Sequence, residues 1–569
     1  MTKRIQIEST AEAFLRVLKA RGVEYFFANA GTDFAPIIEA YAKLVANGET
    51  GCPIPMVVPH EFVAVSMAHG FAMITGRPQA VMVHTTVGTA NALGAIMNAS
   101  RSNVPILFMA GRSPIYESGV RGARNRMIQW SQESFDQAGM VREFVKWDYE
   151  LRGYSQIEVV VDRALQIAAA DPPGPVYLTL PREVLSEQHN DFVLLNESGL
   201  PVVNTAPDTR AVESAANLIA GARNPIIVTR AAGRTPEAMH ALVRLAEQIG
   251  APVIEHHHTN LNFPQDHELH MGYEPAAYVR EADLVVVVEC DVPWYAQTGA
   301  PPPDAKIVQI GIDPLYARIP IRSYRFDVAL AGEAGRSLEL LVTALLRKKL
   351  DPDEVFKRRE RWTAEHKRLR QLWASRADRV ARTTPMDMSW VSRCLSQFLD
   401  DETIVINDYD LDPTQCCFTK PHSYFGPPPP AALGWGLGAA MGAKLADPGK
   451  TVIATLGDGS YMFGSPTAAH FTARAHSIPF LTIVFNNEAW GAVRRATQTV
   501  LPDGWAAKGN KSMPLSSLSP SPAFELVAQA CGAHAESVED PAALPDAIAR
   551  ALAVVKGEKR QALLNVHCA

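Results

Sequence analysis

Short apolar runs alternate with amphipathic stretches along almost the whole chain. Apolar runs rich in valine, isoleucine and leucine are typical of strands buried in parallel sheets, and apolar residues at three- and four-residue spacing are typical of covering helices. We therefore predict an α/β fold of doubly wound parallel sheets. The predicted strands include 25–28, 56–58, 80–84, 175–181, 225–228, 252–255, 284–289, 307–312, 403–406, 451–456, 480–485 and 561–566, and the predicted helices include 11–21, 35–44, 61–75, 89–98 and 434–445.

This alternation falls into three consecutive blocks. We predict domains at 1–190, 191–350 and 384–569, each with the same succession of strands and helices. Residues 351–383 are highly charged, and a charge run is usually a solvated face, so we predict an exposed helix and linker there. A chain of 569 residues is long enough for roughly three or four domains.

Composition and charge argue against several classes of protein. The chain is 47% hydrophobic and 20% charged with a formal net charge of −6, which does not favour a nucleic-acid partner. It has no run of about 18 apolar residues that would indicate a membrane span, and its first residues lack the apolar stretch of a signal peptide. The seven cysteines are widely spread without CxxC spacing. We expect a cytoplasmic protein with reduced thiols that binds neither nucleic acid nor membrane.

The most informative polar residues follow two predicted strands of the third block. Gly457-Asp458-Gly459-Ser460 follows the strand at 451–456, and Asn487 follows the strand at 480–485. Two strand ends in a parallel sheet bring a carboxylate and an amide oxygen together. Such hard oxygen ligands suit Mg²⁺, and glycines beside them let a diphosphate approach the backbone. Either motif alone is weak, because Gly-Asp-Gly is usually only a tight turn, so the prediction depends on their combination.

This combination resembles the signature of the thiamine-diphosphate (ThDP) enzymes. In that family an aspartate and an asparagine hold the Mg²⁺ that anchors the diphosphate of the cofactor. The three blocks are similar to the pyrimidine-binding, middle and diphosphate-binding domains of the benzoylformate decarboxylase and acetolactate synthase branch, so the resemblance covers essentially the whole chain. It implies ThDP and Mg²⁺ as cofactors, with Asp458, Asn487 and Ala489 as metal ligands and Gly457, Gly459 and Ser460 as further cofactor contacts.

A second motif lies in the first block. Pro59-His60-Glu61 follows a predicted strand and opens a helix that carries small residues at helical spacing. The helix dipole alone would favour a carboxylate there, but the pattern is similar to that around the family's activating glutamate. The resemblance implies that Glu61 bonds the pyrimidine N1′ of ThDP and that Leu433 wedges between the two cofactor rings. It also implies that Glu61 serves a cofactor bound by another subunit, so we expect a homodimer at minimum and a homotetramer as the common assembly.

Three residues are candidates for catalytic contacts with the substrate. Thr32 takes the place of a turn residue that faces the substrate in related decarboxylases, or it is an ordinary turn or helix-cap residue. His84 matches a histidine of the benzoylformate decarboxylases and can exchange a proton near neutral pH, or it is structural. Gln132 lies in a Ser-Gln-Glu run that resembles the Phe-Gln-Glu of acetolactate synthases and pyruvate oxidases, whose glutamine lies near the reacting carbon.

Two segments leave alternatives open. The adjacent histidines His256, His257 and His258 cannot all face one way in extended backbone, so we expect no metal site there, while one of them could reach an active-site mouth.

The residues with which acetolactate synthases contact FAD are not recognised in the middle block, so FAD is not expected. The segment 505–522 is rich in glycine, serine, proline and lysine, and is either a lid over the cofactor or a plain surface loop.

The resemblance implies an enzyme that makes or breaks a C–C bond beside the carbonyl of a 2-oxo acid, 2-hydroxy ketone or aldehyde. We predict a ThDP- and Mg²⁺-dependent lyase that decarboxylates a 2-oxo acid through an enamine intermediate. The alternatives are a carboligase of the acetolactate-synthase type and a lyase of 2-hydroxy ketones. Val493 stands where pyruvate decarboxylases carry a catalytic glutamate, which counts against that activity. A non-catalytic relative would have lost Glu61, Asp458 or Asn487, and all three are present.

Overall fold

Three parallel β-sheets, with helices between successive strands, follow one another along the chain. This computed structural model describes residues 3–195, 201, 203–509 and 513–569. The three sheets confirm the predicted α/β fold class. None of the helices in these described ranges combines the length and the apolar composition that a membrane span requires.

The strands are β1 Lys3–Gln6, β2 Tyr25–Ala28, β3 Ile54–Val57, β4 Ala80–Val83, β5 Leu107–Arg112, β6 Asp148–Glu150, β7 Val176–Pro181, β8 Asp191–Leu194, β9 Pro225–Thr229, β10 Val253–Glu255, β11 Leu284–Val288, β12 Lys306–Gly311, β13 Val328–Ala331, β14 Thr403–Asp408, β15 Tyr424–Phe425, β16 Thr451–Gly457, β17 Leu481–Asn486, β18 His534–Val538 and β19 Ala562–His567.

The helices are α1 Thr10–Ala20, α2 Ala35–Ala46, α3 Glu61–Thr75, α4 Thr85–Arg101, α5 Ile128–Ser131, α6 Ile157–Ala169, α7 Arg182–Leu185, α8 Thr209–Ala220, α9 Pro236–Ile249, α10 Ala276–Val279, α11 Ala334–Leu345, α12 Pro352–Val380, α13 Met388–Ser396, α14 Trp435–Ala446, α15 Asp458–Phe463, α16 Pro466–Ala475, α17 Gly491–Val500, α18 Trp505–Lys508, α19 Phe524–Ala530 and α20 Leu544–Ala553. A short 3-10 turn at Thr32–Phe34 precedes α2.

The first sheet has the strand order β3-β2-β4-β5-β7-β6, and all of its strand pairs are parallel. A separate antiparallel pair joins β1 to β8, with Lys3 opposite Leu194. Residues 191–194 therefore pair with the start of the first domain, although the sequence predicts a domain boundary at 190. The crossovers place the residues that follow β2, β3, β4 and β5 along one edge, where ligands of open α/β sheets bind.

The second sheet has the order β10-β9-β11-β12-β13 and a hydrophobic core of its own. Its strands are continuous apolar runs such as the five residues of β11, all of which are buried, as expected for strands covered on both faces. The charged segment predicted at 351–383 is mostly one helix, α12, which is 29 residues long. This helix follows the middle domain and precedes the third domain.

The third sheet has the order β15-β14-β16-β17-β19-β18 and is parallel throughout. Its central strands β14, β16 and β17 are buried along their whole length. Asp408 is the last residue of β14, Asp458 follows β16, and Asn487 follows β17. Three polar side chains therefore stand at the carboxyl ends of three neighbouring strands.

Helices α3 and α14 join the first domain to the third. A Cβ atom on Gly70 of α3 would lie 2.0 Å from the carbonyl oxygen of Ala439 in α14, and one on Gly442 would lie 2.0 Å from the carbonyl oxygen of Met67. Only glycine allows two backbones to approach so closely. The residues around this contact form one continuous hydrophobic core that draws on both domains.

Candidate active site

The predicted metal ligands converge on one backbone amide. The N–H of Ala489 donates to Asp458 Oδ2 at 3.2 Å and to Asn487 Oδ1 at 3.0 Å, so the two side chains lie side by side. Asp458 Oδ1 accepts a second hydrogen bond from the N–H of Gly459 at 2.7 Å. Burial raises the pKa of Asp458 above its ordinary value, although these backbone donors oppose the shift. The carbonyl of Ala489 accepts from the N–H of Gly491 at 2.9 Å.

Close packing requires glycine on both sides of Asp458. A Cβ atom on Gly459 would lie 2.3 Å from the indole ring of Trp490, and one on Gly457 would lie 2.4 Å from Asp410 Oδ2. The predicted role of Ser460 as a cofactor contact stays a prediction, and its hydroxyl has partners within the chain. Its hydroxyl donates to Asp408 Oδ2 at 2.8 Å and accepts from the N–H of Gly434 at 3.0 Å, which links the end of β14 to the start of α14.

Two carboxylates at this edge were not predicted from the sequence. Asp408 accepts hydrogen bonds from the N–H of Gly436 and from Ser460, and burial raises the pKa of Asp408. Burial also raises the pKa of Asp410 to about 6, and the positive charge of Arg495 opposes this shift. Tyr409 and Asp410 both have φ of 79°, a conformation that L residues rarely adopt and that clusters at functional sites. That backbone irregularity leaves no signature in the sequence.

Leu433 precedes the first turn of α14 and is half-buried. The next residue, Gly434, has φ of 84°, and a Cβ atom there would lie 2.3 Å from the backbone nitrogen of Gly464. The backbone on which Leu433 stands is therefore fixed against the end of α15. Its predicted role between the cofactor rings stays a prediction.

Glu61 is the first residue of α3 and is 6% exposed. Asn91 Nδ2 of α4 donates to Glu61 Oε2 at 3.4 Å, and a Cβ atom on Gly88 would lie 3.3 Å from Glu61 Oε1. The carboxylate thus lies between the first turns of two neighbouring helices, where both dipoles favour negative charge. This position is at the carboxyl edge of the first sheet.

His84 follows β4 at the same edge and is bonded to a buried carboxylate. Its Nδ1 lies 2.5 Å from Oδ1 of Asp33, whose side chain is 3% exposed, whereas the His84 side chain is 20% exposed. The hydrogen bond to Asp33 raises the pKa of His84, and partial burial opposes that shift. The next residue, Thr85, has φ of 41°, a genuine outlier for a β-branched side chain.

Thr32 and Gln132 flank this pair in different ways. Thr32 is exposed, and its carbonyl accepts from Arg182 Nη1 at 3.3 Å, so its neighbour Asp33 is the residue that contacts His84. Gln132 lies near enough to His84 to favour the charged ring. A small recess brings these residues together, and Arg112 also lines it. Within the described chain, four buried polar atoms of residues that line the recess make no hydrogen bond: Asp33 Oδ2, Thr85 Oγ1, Ser113 Oγ and Gln132 Oε1.

The three adjacent histidines occupy a turn after β10. His256 and His258 are buried, and His257, with φ of 48°, is exposed. His256 Nδ1 donates to the carbonyl of Val292 at 2.7 Å, and the His257 Nε2 lies 2.7 Å from the hydroxyl of Tyr295. His257 and His258 line a cavity of about 1360 Å³ between the middle and third domains, which extends to Tyr409. Among the described residues, no group of three or more His, Cys, Asp or Glu side chains is arranged to hold a metal ion.

The segment predicted at 505–522 is bonded to the residues that follow Asn487. The carbonyl of Ser516 accepts from the N–H of Trp490 at 2.9 Å, and the N–H of Leu518 donates to the carbonyl of Glu488 at 2.7 Å. Residues 510–512 lie outside the described residues. The described part of the segment is therefore attached directly beside the candidate metal ligands, whether it acts as a lid or as a surface loop.

Comparison with known proteins identifies the family to which the chain belongs. Residues 8–140 match the family model described as "Thiamine pyrophosphate enzyme, N-terminal TPP binding domain", residues 212–341 match the central domain, and residues 413–566 match the C-terminal TPP binding domain. Together the three matches cover most of the chain in the order of the three sheets. The chain belongs to the thiamine pyrophosphate enzymes. Thiamine pyrophosphate is ThDP, so the resemblance drawn from Asp458, Asn487 and Glu61 is confirmed at the level of the family.

Curated members of this family that resemble the chain carry different names. A sulfoacetaldehyde acetyltransferase of Rhodobacter capsulatus is 26% identical over 96% of this chain and 92% of the relative. A benzoylformate decarboxylase of Pseudomonas aeruginosa is 27% identical over 86% and 88%. An acetolactate synthase of Mycobacterium bovis is 25% identical over 85% and 77%. The relatives therefore include both decarboxylase and synthase members of the thiamine pyrophosphate enzymes.

A solved structure shares the fold. The thiamine diphosphate-dependent 4-hydroxybenzoylformate decarboxylase of Rhodococcus jostii RHA1 superposes with a TM-score of 0.75 at 21% identity, covering 98% of this chain and 99% of that protein. This likeness supports the three-domain architecture of the thiamine pyrophosphate enzymes over the full length.

The donor set at the third sheet fits the cofactor of a thiamine pyrophosphate enzyme. A diphosphate needs a divalent cation to neutralise it, and the adjacent Asp458 and Asn487 side chains offer oxygen ligands for one. One carboxylate with one amide oxygen and one carbonyl suits Mg²⁺, which keeps several waters or phosphate oxygens among its ligands.

Proposed function

We propose that this chain is a ThDP- and Mg²⁺-dependent lyase that decarboxylates a 2-oxo acid. The observation that carries the proposal is the His84 imidazole, bonded to Asp33 at 2.5 Å and standing at the sheet edge that also carries Glu61. A decarboxylase needs a proton donor beside the carbon that has lost carbon dioxide. A histidine whose hydrogen bond to a carboxylate favours the charged ring is such a donor near neutral pH.

Residues at the carboxyl edges of the third and first sheets would bind different parts of the cofactor. Asp458, Asn487 and the Ala489 carbonyl would hold Mg²⁺, and Leu433 would hold the two cofactor rings at an angle. Glu61 would bond the pyrimidine N1′ through its carboxyl group. When bound, ThDP supplies the carbon that attacks the substrate carbonyl and stores the electron pair released with carbon dioxide.

Polar side chains around His84 would orient the substrate. Three buried polar atoms there, Thr85 Oγ1, Ser113 Oγ and Gln132 Oε1, make no hydrogen bond within the described residues, and a buried polar atom without a partner costs about 1 to 3 kcal/mol until something bonds to it. Arg112 and Arg182 also lie there, but Arg112 is paired with Glu133 and Glu150 and Arg182 donates to backbone carbonyls. Gln132 would contact the reacting group beside His84.

A carboligase of the acetolactate-synthase type is the second candidate, and Gln132 is the observation that favours it. The sequence around Gln132 resembles that of the synthases, and the residue lies beside His84 in the recess. A synthase would direct the carbon nucleophile to a second carbonyl instead of protonating it. Cleavage of a 2-hydroxy ketone uses the same groups in the reverse direction.

We also propose that the active unit is at least a homodimer, with a homotetramer as the common assembly. Seven large apolar side chains between residues 115 and 135 are exposed in the single chain. A segment with this many exposed apolar side chains is a candidate interaction site. A second copy of this chain is the partner that would bring its own first domain to the third domain of its neighbour, as the family resemblance implies.

The deciding experiment is a product assay on protein loaded with ThDP and Mg²⁺. The panel would contain pyruvate, branched-chain 2-oxo acids, benzoylformate and 2-hydroxy ketones, each with and without an acceptor aldehyde. Carbon dioxide together with free aldehyde is the expected result. Ligated product in preference to free aldehyde would replace the lyase with the carboligase, and cleavage of 2-hydroxy ketones without carbon dioxide would replace it with the aldehyde lyase.

A further inference from the structure

Two glycines make the contact between Asp33 and His84 possible. A Cβ atom on Gly31 would lie 2.1 Å from His84 Nδ1, and one on Gly111 would lie 1.7 Å from Asp33 Oδ2. Any side chain at either position would displace the ring or the carboxylate. The chain therefore keeps space for this pair at two separate strand ends, after β2 and within β5.

The backbone conformation around Asp33 and His84 also orients the two side chains. Asp33 lies in the 3-10 turn Thr32–Phe34, which buries its carboxylate and leaves Thr32 exposed. His84 precedes α4 and is followed by Thr85, whose φ of 41° is strained for a β-branched residue. A single buried carboxylate oxygen, Asp33 Oδ1, bonds Nδ1, so Nε2 is the ring nitrogen that remains for another partner.

Charged and polar groups from five elements face this ring or line its recess. Asp33 belongs to the 3-10 turn, Glu61 to α3, Gln132 follows α5, Arg112 ends β5 and Arg182 opens α7. The two carboxylates and Gln132 favour the charged imidazole, and the hydrogen bond from Asp33 is the largest contribution. The Arg182 guanidinium is engaged by the carbonyls of Thr32, Gly122 and Ala123, so it does not replace His84 as the partner of Asp33.

We propose that Asp33 is a positioning residue that holds Nδ1–H of His84, so that the charged ring presents Nε2–H to the substrate, and that this pair commits the site to protonation of the product carbon. The inference rests on the proposed decarboxylase function and deepens it. Asp33 itself would touch neither substrate nor cofactor.

The proton balance is simple. The bond between the carboxylate carbon and the reacting carbon breaks, carbon dioxide leaves, and the bonding electron pair stays on the reacting carbon side. His84 Nε2 gives one proton to that carbon, so the imidazole becomes neutral while Nδ1–H remains bonded to Asp33. Water then returns a proton to Nε2. A donor held in place by a buried carboxylate competes with a second carbonyl for the same electron pair, so aldehyde should exceed ligated product.

The test is Asp33→Asn, followed by histidine-selective NMR with and without ThDP and Mg²⁺. The variant keeps the shape of the side chain and removes its charge. Because an opposite charge at this distance shifts a pKa by about one to three pH units, the His84 titration midpoint should fall by that amount. His84→Gln assigns the signal among the 16 histidines of the chain. Gly111→Ala, which would displace the carboxylate without removing its charge, should lower the same midpoint if Asp33→Asn does not fold.

The chain offers a matched control at its surface. His534 Nε2 and Glu536 Oε1 lie 2.9 Å apart on the edge strand β18, with side chains 26% and 24% exposed. Glu536→Gln should shift the His534 signal and leave the His84 midpoint and the turnover rate unchanged. A folded Asp33→Asn variant whose His84 midpoint equals that of the wild type would overturn the proposal.

Kinetic measurements distinguish the positioning role of Asp33 from the proposed decarboxylase function on which it rests. With an active 2-oxo acid, Asp33→Asn should lower the rate of aldehyde release by about tenfold or more, shift the basic limb of the pH profile to lower pH, and raise the share of ligated product. An unchanged product ratio and pH profile would reject the positioning role. If no 2-oxo acid is turned over but the NMR midpoint falls as expected, the proposed function fails and the Asp33–His84 geometry stands.

Discussion

At the scale of single residues, Asp458 has the environment of a carboxylate prepared for a cation. It is buried beside Asn487, and two backbone amides hold its oxygens in place without neutralising the charge. Burial raises the pKa of Asp458, which is a cost that a bound metal ion would remove. Replacing Asp458 should therefore weaken the binding of the metal ion and the cofactor.

Asp458→Asn should weaken Mg²⁺-dependent binding of ThDP by more than about 100-fold, because even outer-shell changes at metal sites cost 10- to 100-fold. Isothermal titration calorimetry with ThDP, at fixed Mg²⁺ and then without it, measures the change. Asp401→Asn, at an exposed position of the same domain, is the matched control and should bind as the wild type does. Equal affinities for both variants would remove Asp458 from the metal site.

Glu61→Gln is expected to separate binding from catalysis. The amide keeps the size of the side chain but cannot act as the carboxyl group that the proposed mechanism requires at N1′. Turnover should fall by about 100-fold or more, while ThDP binding changes little. Steady-state rates and calorimetry on the same samples measure both quantities. Glu39→Gln, an exposed glutamate on α2, should leave both unchanged, and retained turnover in Glu61→Gln would reject the proposed role.

The residue scale also limits what the sequence can predict. The pairing of Asp458 with Asn487 was predictable, because both follow apolar strands of a parallel sheet and such strands end at one edge. The choice between Thr32 and Asp33 was not, because it depends on how a three-residue turn rotates. Arg182 was missed for a related reason, since it enters the recess from α7, about 150 residues along the chain from Thr32.

At the scale of elements, His258 connects β10 to β15. Its ring stacks between Tyr273, at 4.8 Å between ring centroids, and Tyr424 of β15, at 4.7 Å. The ring is buried, its Nε2 makes no hydrogen bond within the described residues, and burial lowers the pKa of His258 to about 4. The middle and third domains are therefore held together in part by a histidine that must stay neutral.

This histidine should make stability depend on pH. Its pKa is lower in the folded chain than in the unfolded chain, so the unfolded chain binds more protons between about pH 6.5 and 4 and stability falls as the pH drops through that window. By pH 5 the loss from this residue is about 2 kcal/mol. His258→Phe, which keeps a stacked ring, should lose less melting temperature between pH 7.5 and pH 5 than the wild type.

Differential scanning fluorimetry at the two pH values measures this difference. His240→Asn is the control, because His240 is exposed on α9 and its replacement removes a histidine without touching the contact between the domains. A His258→Phe variant that loses as much melting temperature as the wild type would show that another group causes the acid sensitivity.

Element prediction succeeded where the local pattern is strong. Continuous apolar runs such as β11 and β16 were located within one residue or so, because burial on both faces leaves no polar position. Short edge strands such as β6 and β15 were missed, since two or three residues carry no periodicity. The pairing of β1 with β8 joins chain segments far apart, which no local pattern reveals.

At the scale of the whole molecule, the exposed apolar residues form the main argument for assembly. They are Ile115, Tyr116, Val120, Met127, Ile128, Trp130 and Phe135. The segment that carries them also includes the approach to Gln132, so a partner that covers it would lie against the recess around His84. Assembly and catalysis would then depend on the same surface.

Met127→Asp should therefore shift the wild-type oligomer towards smaller species and lower the activity per chain. Met127 is 84% exposed in the single chain, and a buried unpaired carboxylate at an interface is strongly unfavourable. Ile321→Asp is the matched control, since Ile321 is 87% exposed but belongs to the middle domain. Size exclusion with light scattering gives the mass of each variant, and a wild type that is monomeric at all concentrations would contradict the proposed assembly.

The contact between α3 and α14 limits how this chain can change over evolution. Gly70 and Gly442 meet backbone atoms of the opposite helix, so no compensating side-chain substitution can make room for a larger residue at either position. The first and third domains should consequently be inherited as one unit. The middle domain has a core of its own, but a Cβ atom on Gly426 of the third domain would lie 2.2 Å from the carbonyl oxygen of His258, so a middle domain exchanged with a relative would have to keep this close contact.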